Sequence, residues 1–456
     1  MATVAPATTV VVAPATELPV ARSPRPRTRL ALGAAIVFTA ASLTLWLLFL
    51  RPNWEMYWHQ IDLQVYMWGG NAAALHPAQL YTARGPLFLP FLYPVFAAWI
   101  CAELARFPIN YVGTGMVVAT LIALYLSVWC TAVLLRYRRG LGMLAVTLAV
   151  GSAALWLEPV QQTFRFGQIS MILMAMVLGD FAIPKEHWSR GILIGIATGI
   201  KLTPAVFIVY LVVTRQLKAA AIAMGAFAAT VAAGFWYRPT EAAQFWTTTV
   251  ASQNRIGFAY VQNQSLNGLL GRLQWTTWDS HVLWLLGAGA LGLAGLAAAR
   301  IAHARGDEML GILLAAGVTL LCSPISWTHY WVWMVPALVW AGHALSRRSR
   351  AAAIAVPAAI TLFAFAWPMQ VDSIGAWDET LPLLPQGLIW FVPQTNGREF
   401  HWDPVQFLDG NSYALLTLAA LVTAVVLLSR TPRPALEASR PARSRAPVQR
   451  EACKAA

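Results

Sequence analysis

Asp62 lies in the stretch EMYWHQIDLQVYMWGG, Glu55 to Gly70, with no Lys or Arg within ten positions and aromatic and small residues on both sides. A carboxylate placed just beyond an apolar run, in aromatic surroundings, suits a general base that takes a proton from a hydroxyl. The competing reading is a solvated loop acid, and the other polar residues of the chain decide between the two. Lys201 interrupts an otherwise apolar run and is followed by Thr203-Pro204. An ammonium there is costly unless it is paired or faces water, so a helix break lining a cavity is expected around it. Glu158 to Gln168, EPVQQTFRFGQ, offers Arg165 and Gln168 to a phosphate or a sugar; the alternative is a loop snorkelling at the interface. Arg255 in NRIG presents a planar fork suited to a phosphate or carboxylate. Asn263, Gln264 and Asn267 in NQSLNG carry the paired donors and acceptors that bind sugar hydroxyls. SPISWTHYWVW, Ser323 to Trp333, sets Pro324, Trp327, His329 and Tyr330 at the start of an apolar run. An aromatic interface belt accounts for the tryptophans but not for His329, which can hydrogen-bond a phosphate or an acceptor hydroxyl.

The elements that must hold these residues are membrane helices. The chain has 456 residues, 58% of them hydrophobic and 11% charged, against about 25% charged in soluble domains. Apolar runs long enough to cross a bilayer recur along its length. In a soluble protein the formal charge of +13 would suggest nucleic acid; here it sits in short loops and both tails, where Lys and Arg set topology. Basic clusters fall at Arg22–Arg29, Arg136–Arg139, Lys185–Arg190, Arg215–Lys218, Arg300–Arg305, Arg347–Arg350 and Arg430–Arg450. Placing them in the cytoplasm puts Arg51–Pro86, Glu158–Gln168, Lys201–Pro204, Arg238–Ser280, Ser323–His329 and Pro368–Asn411 together on the other side.

The expected architecture is an all-α polytopic membrane protein of about eleven to thirteen segments, some broken or re-entrant. Leu87–Ala105, interrupted by proline, is the re-entrant candidate. The boundaries are a disordered basic cytoplasmic tail over 1–29, a catalytic membrane domain over 30–429 and a second disordered basic tail over 430–456. Leu30–Leu50 reads as an uncleaved anchor. The four cysteines lack metal spacing, no His/Cys/Asp constellation supports a tight metal site, and no phosphate-binding glycine loop follows a strand. No cofactor is expected, and the sequence demands no divalent cation. An enzyme of this layout draws an activated substrate from the membrane rather than from cytosolic nucleotides.

The runs IDLQVY, LPFLYPVFAA, WLEPVQQTFRFGQIS, GIKLTPAVF, NRIG with NQSLNG, and SPISWTHYWVWMVPA, in that order, resemble the polyprenol-phosphate-mannose-dependent α-(1→2)-mannosyltransferases of actinobacteria. These belong to glycosyltransferase family 87, with the GT-C membrane fold. The resemblance spans about Arg51 to Leu345. It implies that Asp62 is the base, that the run containing His329 borders the reaction centre, and that mannose passes from a polyprenyl-phosphate donor to a mannosylated glycolipid or glycan outside the plasma membrane. In this reading Lys201, Arg255 and Arg165 hold the donor phosphate. Gln168, Asn263, Gln264, Asn267, Trp327 and Tyr330 contact sugar. The chain departs from the family in having His329-Tyr330 where His-His is common, and Ser170 where GQIN has Asn. The alternatives are an arabinofuranosyl or other polyprenyl-phosphate-sugar transferase and, from another class, a transporter or flippase; no internal repeat favours the latter.

Overall fold

The computed structural model describes residues 26–50, 60–250, 257–273 and 277–430. Arg255 and Glu55 lie outside these residues. The described chain is mostly helical with almost no sheet, as its apolar runs require in a solvent that cannot satisfy backbone polar groups. Five described helices are long and apolar enough to cross a membrane: Pro26–Phe49, Ile109–Leu134, Leu217–Tyr237, Ser280–Ala304 and Ser412–Arg430. Each coincides with an apolar run legible in the sequence. The remaining expected segments are shorter or broken. Leu87–Ala105 keeps only the ten-residue helix Val95–Leu104, and Leu141–Ala154, Glu308–Cys322 and Arg350–Phe363 are also short.

Two breaks shape the interior. Glu158–Phe166 and Ser170–Ala182 meet at 116°. Gly167 makes that bend, with φ 62° in the left-handed region that a helix C-terminus favours for glycine. A Cβ at Gly167 would also stand 2.8 Å from the Leu63 Cβ, so the bend lies directly against the helix Ile61–Leu75. The second break separates Ile192–Ile200 from Ala205–Val213. Lys201 is extended there (φ −148°, ψ 133°), and Pro204 supplies no N–H to continue the first half-helix. This agrees with the two half-helices expected at Lys201–Pro204.

The half-helix leading to Lys201 carries glycine at every fourth position, 191, 195 and 199, on one face. A Cβ at Gly191 or Gly195 would overlap the carbonyl oxygen of Ala219 or Ala223 in the Leu217–Tyr237 helix, and one at Gly199 would overlap Thr230. Small residues let the two backbones touch, the packing that serves where lipid removes the hydrophobic drive.

Glu158–Phe166 departs from the snorkelling-loop alternative. It is a helix, and Glu158, Gln161, Gln162 and Thr163 on it are buried. Glu158 accepts a hydrogen bond from Tyr413 (3.0 Å), and Gln161 accepts one from Trp46 (3.1 Å). Glu158 and Gln161 thus bond neighbours across the fold rather than meeting water.

The C-terminal third adds a small antiparallel pair, Trp367–Met369 with Leu384–Gln386 in register Pro368 to Pro385. The helix Pro404–Gly410 is opened by a reciprocal Asp403–Gln406 capping box. At the far end of the molecule, Glu308 meets His303 (2.6 Å) and Lys185 (3.4 Å). Glu308 and Cys322 end one fifteen-residue helix, about 21 Å apart by helical rise, so this ionic cluster is well separated from the cavity that Cys322 lines.

Candidate active site

Both breaks open onto one cavity of about 1040 Å³, lined by Asp62, Arg165, Gln168, Lys201, Trp327, His329 and Tyr330 among others. Four separate stretches converge on it. Asp62 sits in the first turn of Ile61–Leu75 and Gln168 follows the Gly167 bend. Lys201 caps its half-helix, and His329 belongs to the 3-10 turn Thr328–Trp333. Apolar residues from Val206, Val318 and Cys322 complete another side.

Gln168 joins the polar groups. Its Nε2 donates to Asp62 Oδ2 (2.7 Å) and lies 3.2 Å from His329 Nε2. Its Oε1 accepts from Tyr66 and from the Ile169 N–H (3.0 Å), with the Lys201 ammonium at 3.5 Å. His329 Nε2 stands 4.0 Å from Asp62 Oδ2. Lys201 is nearly buried and its ammonium lies 3.9 Å from the centre of the Tyr330 ring, a cation–π contact that partly replaces lost hydration. No described carboxylate comes within 4.0 Å of that ammonium.

Burial raises the Asp62 carboxyl to about 6, against the opposing pull of Lys201 and the Gln168 hydrogen bond. A carboxylate near 6 accepts a proton far more readily than one in water while remaining ionised at neutral pH. Burial, and secondly the Lys201 charge, hold His329 well below the ordinary imidazole value. It therefore stands neutral beside the carboxylate.

Several expected sugar contacts lie elsewhere. Asn263 is fully buried; its Oδ1 accepts from Ser326 N (2.9 Å) and Ser265 N (3.2 Å), and its Nδ2 donates to Phe258 O (2.8 Å). Gln264 spends its amide on Val261 O, Gly410 O and Ala414 N. Asn267 donates to Pro324 O (3.0 Å). These amides brace the Ser323–His329 turn and the start of Ser412–Arg430, and none of the three lines the cavity. An amide that fits a sugar hydroxyl fits a backbone group equally well, so composition could not separate the two uses.

Other participants escaped sequence reasoning. Tyr66, one turn after Asp62, joins Tyr93 (3.1 Å between hydroxyls) and Gln168. Its i, i+4 spacing from the acid was the available signal. Trp390, from the C-terminal third, lines the cavity beside residues over 200 positions earlier. Buried Arg272 bonds Asn411 Oδ1 and the carbonyls of Ala259, Tyr260 and Asn263, joining the loop after 257 to the C-terminal third. Among the described residues, no three His, Cys, Asp or Glu side chains come together in an arrangement that could hold a metal ion.

Broken membrane helices around one polar chamber define a multi-pass membrane protein with an internal site. Glycosyltransferase family 87 matches over residues 91–324, and the chain belongs to that family. It is a glycosyltransferase, which sets aside the transporter reading. It is 31% identical, over 85% of its length and 92% of the relative's, to the polyprenol-phosphate-mannose-dependent α-(1-2)-phosphatidylinositol mannoside mannosyltransferase of Mycobacterium tuberculosis strain H37Rv. To the corresponding phosphatidylinositol pentamannoside mannosyltransferase of M. tuberculosis strain CDC 1551 it is 35% identical, over 72% of this chain and 75% of that one. The pentamannoside enzyme of Mycolicibacterium smegmatis is 32% identical over 75% of this chain and 84% of its own. No solved structure matches the chain.

Proposed function

We propose that this glycosyltransferase moves a mannosyl group from a β-linked polyprenyl-phosphate mannose to the 2-hydroxyl of a mannose on a phosphatidylinositol mannoside. The observation that carries the reading is the placement of Asp62 and Lys201 in one chamber, both touching Gln168. Asp62 takes the hydroxyl proton as that oxygen attacks the anomeric carbon. The new C–O bond forms as the bond to the phosphate oxygen breaks, so a single displacement inverts β to α. The leaving group departs as a lipid phosphate, already a stable anion, and needs no general acid. Lys201 and Arg165 offset its charge, and Val206, Val318 and Cys322 suit the start of a prenyl chain. The relatives' names support the donor and acceptor classes. The Glu308 cluster and the basic loops lie away from the chamber, which supports a site on the non-cytoplasmic face of the plasma membrane.

Purified protein in lipid, given polyprenyl-phosphate [14C]mannose and phosphatidylinositol mannosides, should yield a product cleaved by an α-1,2-mannosidase. Transfer only from a polyprenyl-phosphate arabinofuranose would overturn the donor; product on a non-mannosylated lipid would overturn the acceptor. The same assay has an expected pH profile. Because Asp62 must be ionised to act and its carboxyl is raised to about 6, kcat/KM should be level at neutral pH. It should then fall about tenfold per unit as pH drops below that value. A profile flat down to pH 4.5 would remove Asp62 from the rate-limiting proton transfer.

A further inference from the structure

Gln168 carries hydrogen bonds to more partners than any other side chain described at the cavity. The orientation of its carboxamide follows from chemistry. The Ile169 backbone N–H can only donate, as can the Lys201 ammonium, so the end they face is the oxygen. The other end is then the NH2 group, and it faces Asp62 Oδ2 and His329 Nε2. An NH2 group beside Nε2 requires that nitrogen to accept, which puts the imidazole proton on Nδ1. Gln168 is 1% exposed, and its place is set by the Gly167 bend before it and the Tyr66 hydroxyl above it. Among the described residues no hydrogen bond reaches Asp62 Oδ1, while Asp62 itself lines the cavity.

We propose that Gln168 is a positioning residue rather than a sugar contact: it holds Asp62 by Oδ2, fixes His329 as the Nδ1–H tautomer, and so reserves Asp62 Oδ1 for the attacking hydroxyl. The proposal rests on the reading of Asp62 as the base. An amide donor to a carboxylate favours its ionised form, so Gln168 governs both the direction of the base and the pH at which it works. The other charged or titratable described groups facing Asp62 are Lys201, His329, Tyr66, Tyr93 and Tyr330, with Arg165 on the same cavity. Tyr66, His329 and Lys201 also lose a partner in a Gln168 variant, so the shift is read together with that of Tyr66→Phe.

The test compares Gln168→Leu, Gln168→Glu, Tyr66→Phe and Asp62→Asn in lipid nanodiscs, with the labelled donor and mannoside acceptor. Gln168→Leu removes the donor to Asp62. Its kcat should fall about 10- to 100-fold, as for loss of a hydrogen bond to a charged group, with both KM values within about threefold. The acid limb of its pH profile should move to higher pH. Gln168→Glu keeps the shape and places a second acid against Asp62, so its limb should move further. Tyr66 lies outside the cavity lining, and Tyr66→Phe removes its hydroxyl from Gln168 and from Tyr93. It should shift the limb in the same direction, with a smaller loss of kcat.

A lower kcat with the limb unmoved in both Gln168 variants would reduce the residue to packing and overturn the proposal. So would an acceptor KM raised tenfold or more with kcat kept, the mark of a direct sugar contact. Asp62→Asn separates the two readings. If it is inactive while Gln168→Leu matches wild type, only the positioning role falls; if it is active, the base assignment fails on its own account. A folding loss in Gln168→Leu, seen as a lower melting temperature, leaves the decision to Tyr66→Phe, where an unmoved limb counts against the proposal.

Discussion

Asp62→Asn lowers kcat about 10²–10⁴-fold, the usual worth of general base catalysis, and leaves donor KM and melting temperature close to wild type. The substitution keeps the shape of a side chain that is still about a quarter exposed to the cavity (23%). It removes the raised carboxylate and puts an amide where Gln168 Nε2 now donates. The neutral His329 cannot replace it, because its near nitrogen already faces the Gln168 amide and burial resists its charging. Single-turnover assays with pre-bound donor read the chemical step directly. A variant retaining more than about a tenth of wild-type kcat sinks the assignment, and Glu55, earlier in the same stretch, becomes the next candidate to test.

Lys201→Met raises donor KM about 10- to 100-fold, the loss that follows removal of a hydrogen bond to a charged group, and changes acceptor KM by less than about threefold. It also leaves the melting temperature of the ligand-free protein equal to or above wild type. The second result follows from what surrounds the ammonium: an aromatic ring and an amide oxygen, with no described carboxylate within 4.0 Å. A nearly buried cation without a closely paired anion is a cost to the empty protein, and an apolar side chain of similar length relieves it. The donor phosphate supplies the missing anion. Lower stability combined with unchanged donor KM would instead make Lys201 part of the scaffold and move the phosphate to Arg165 and to Arg255.

The sequence disclosed what is costly in a membrane. Long apolar runs, a lysine before Thr203-Pro204, and a lone acid in aromatic surroundings each demand an explanation that a bilayer or a cavity supplies. The five long helices, the Lys201 break and the convergence of Asp62, Lys201, His329 and Tyr330 were legible for that reason. Neutral polar residues carry no such demand. Glu158–Phe166 is too short and too polar to read as a membrane helix, and its buried residues include Glu158 and Gln161, which find partners far away in the chain, Tyr413 and Trp46. Asn263, Gln264 and Asn267 look like sugar ligands by type and work as struts. Gln168 was expected to contact sugar, and its place as a junction depends on a 116° bend that its local sequence does not disclose. The segment after Arg350 carried no family motif, yet it delivers Trp390 to the cavity and Asn411 to Arg272.

The glycine face of the half-helix Ile192–Ile200 bears on how such an enzyme could be made to accept a different sugar. At Gly191 and Gly195 its backbone lies against the backbone of Leu217–Tyr237, and at Gly199 against the Thr230 side chain. That packing leaves the segment no room to shift: enlarging Gly191 or Gly195 displaces a whole helix, and Lys201 with it. The stretch from Val318 through Ser323 to Trp327 lines the cavity itself. Side-chain walls change size one residue at a time. A library seeking a smaller or bulkier donor ring therefore belongs at 318–327, with positions 191–201 held fixed.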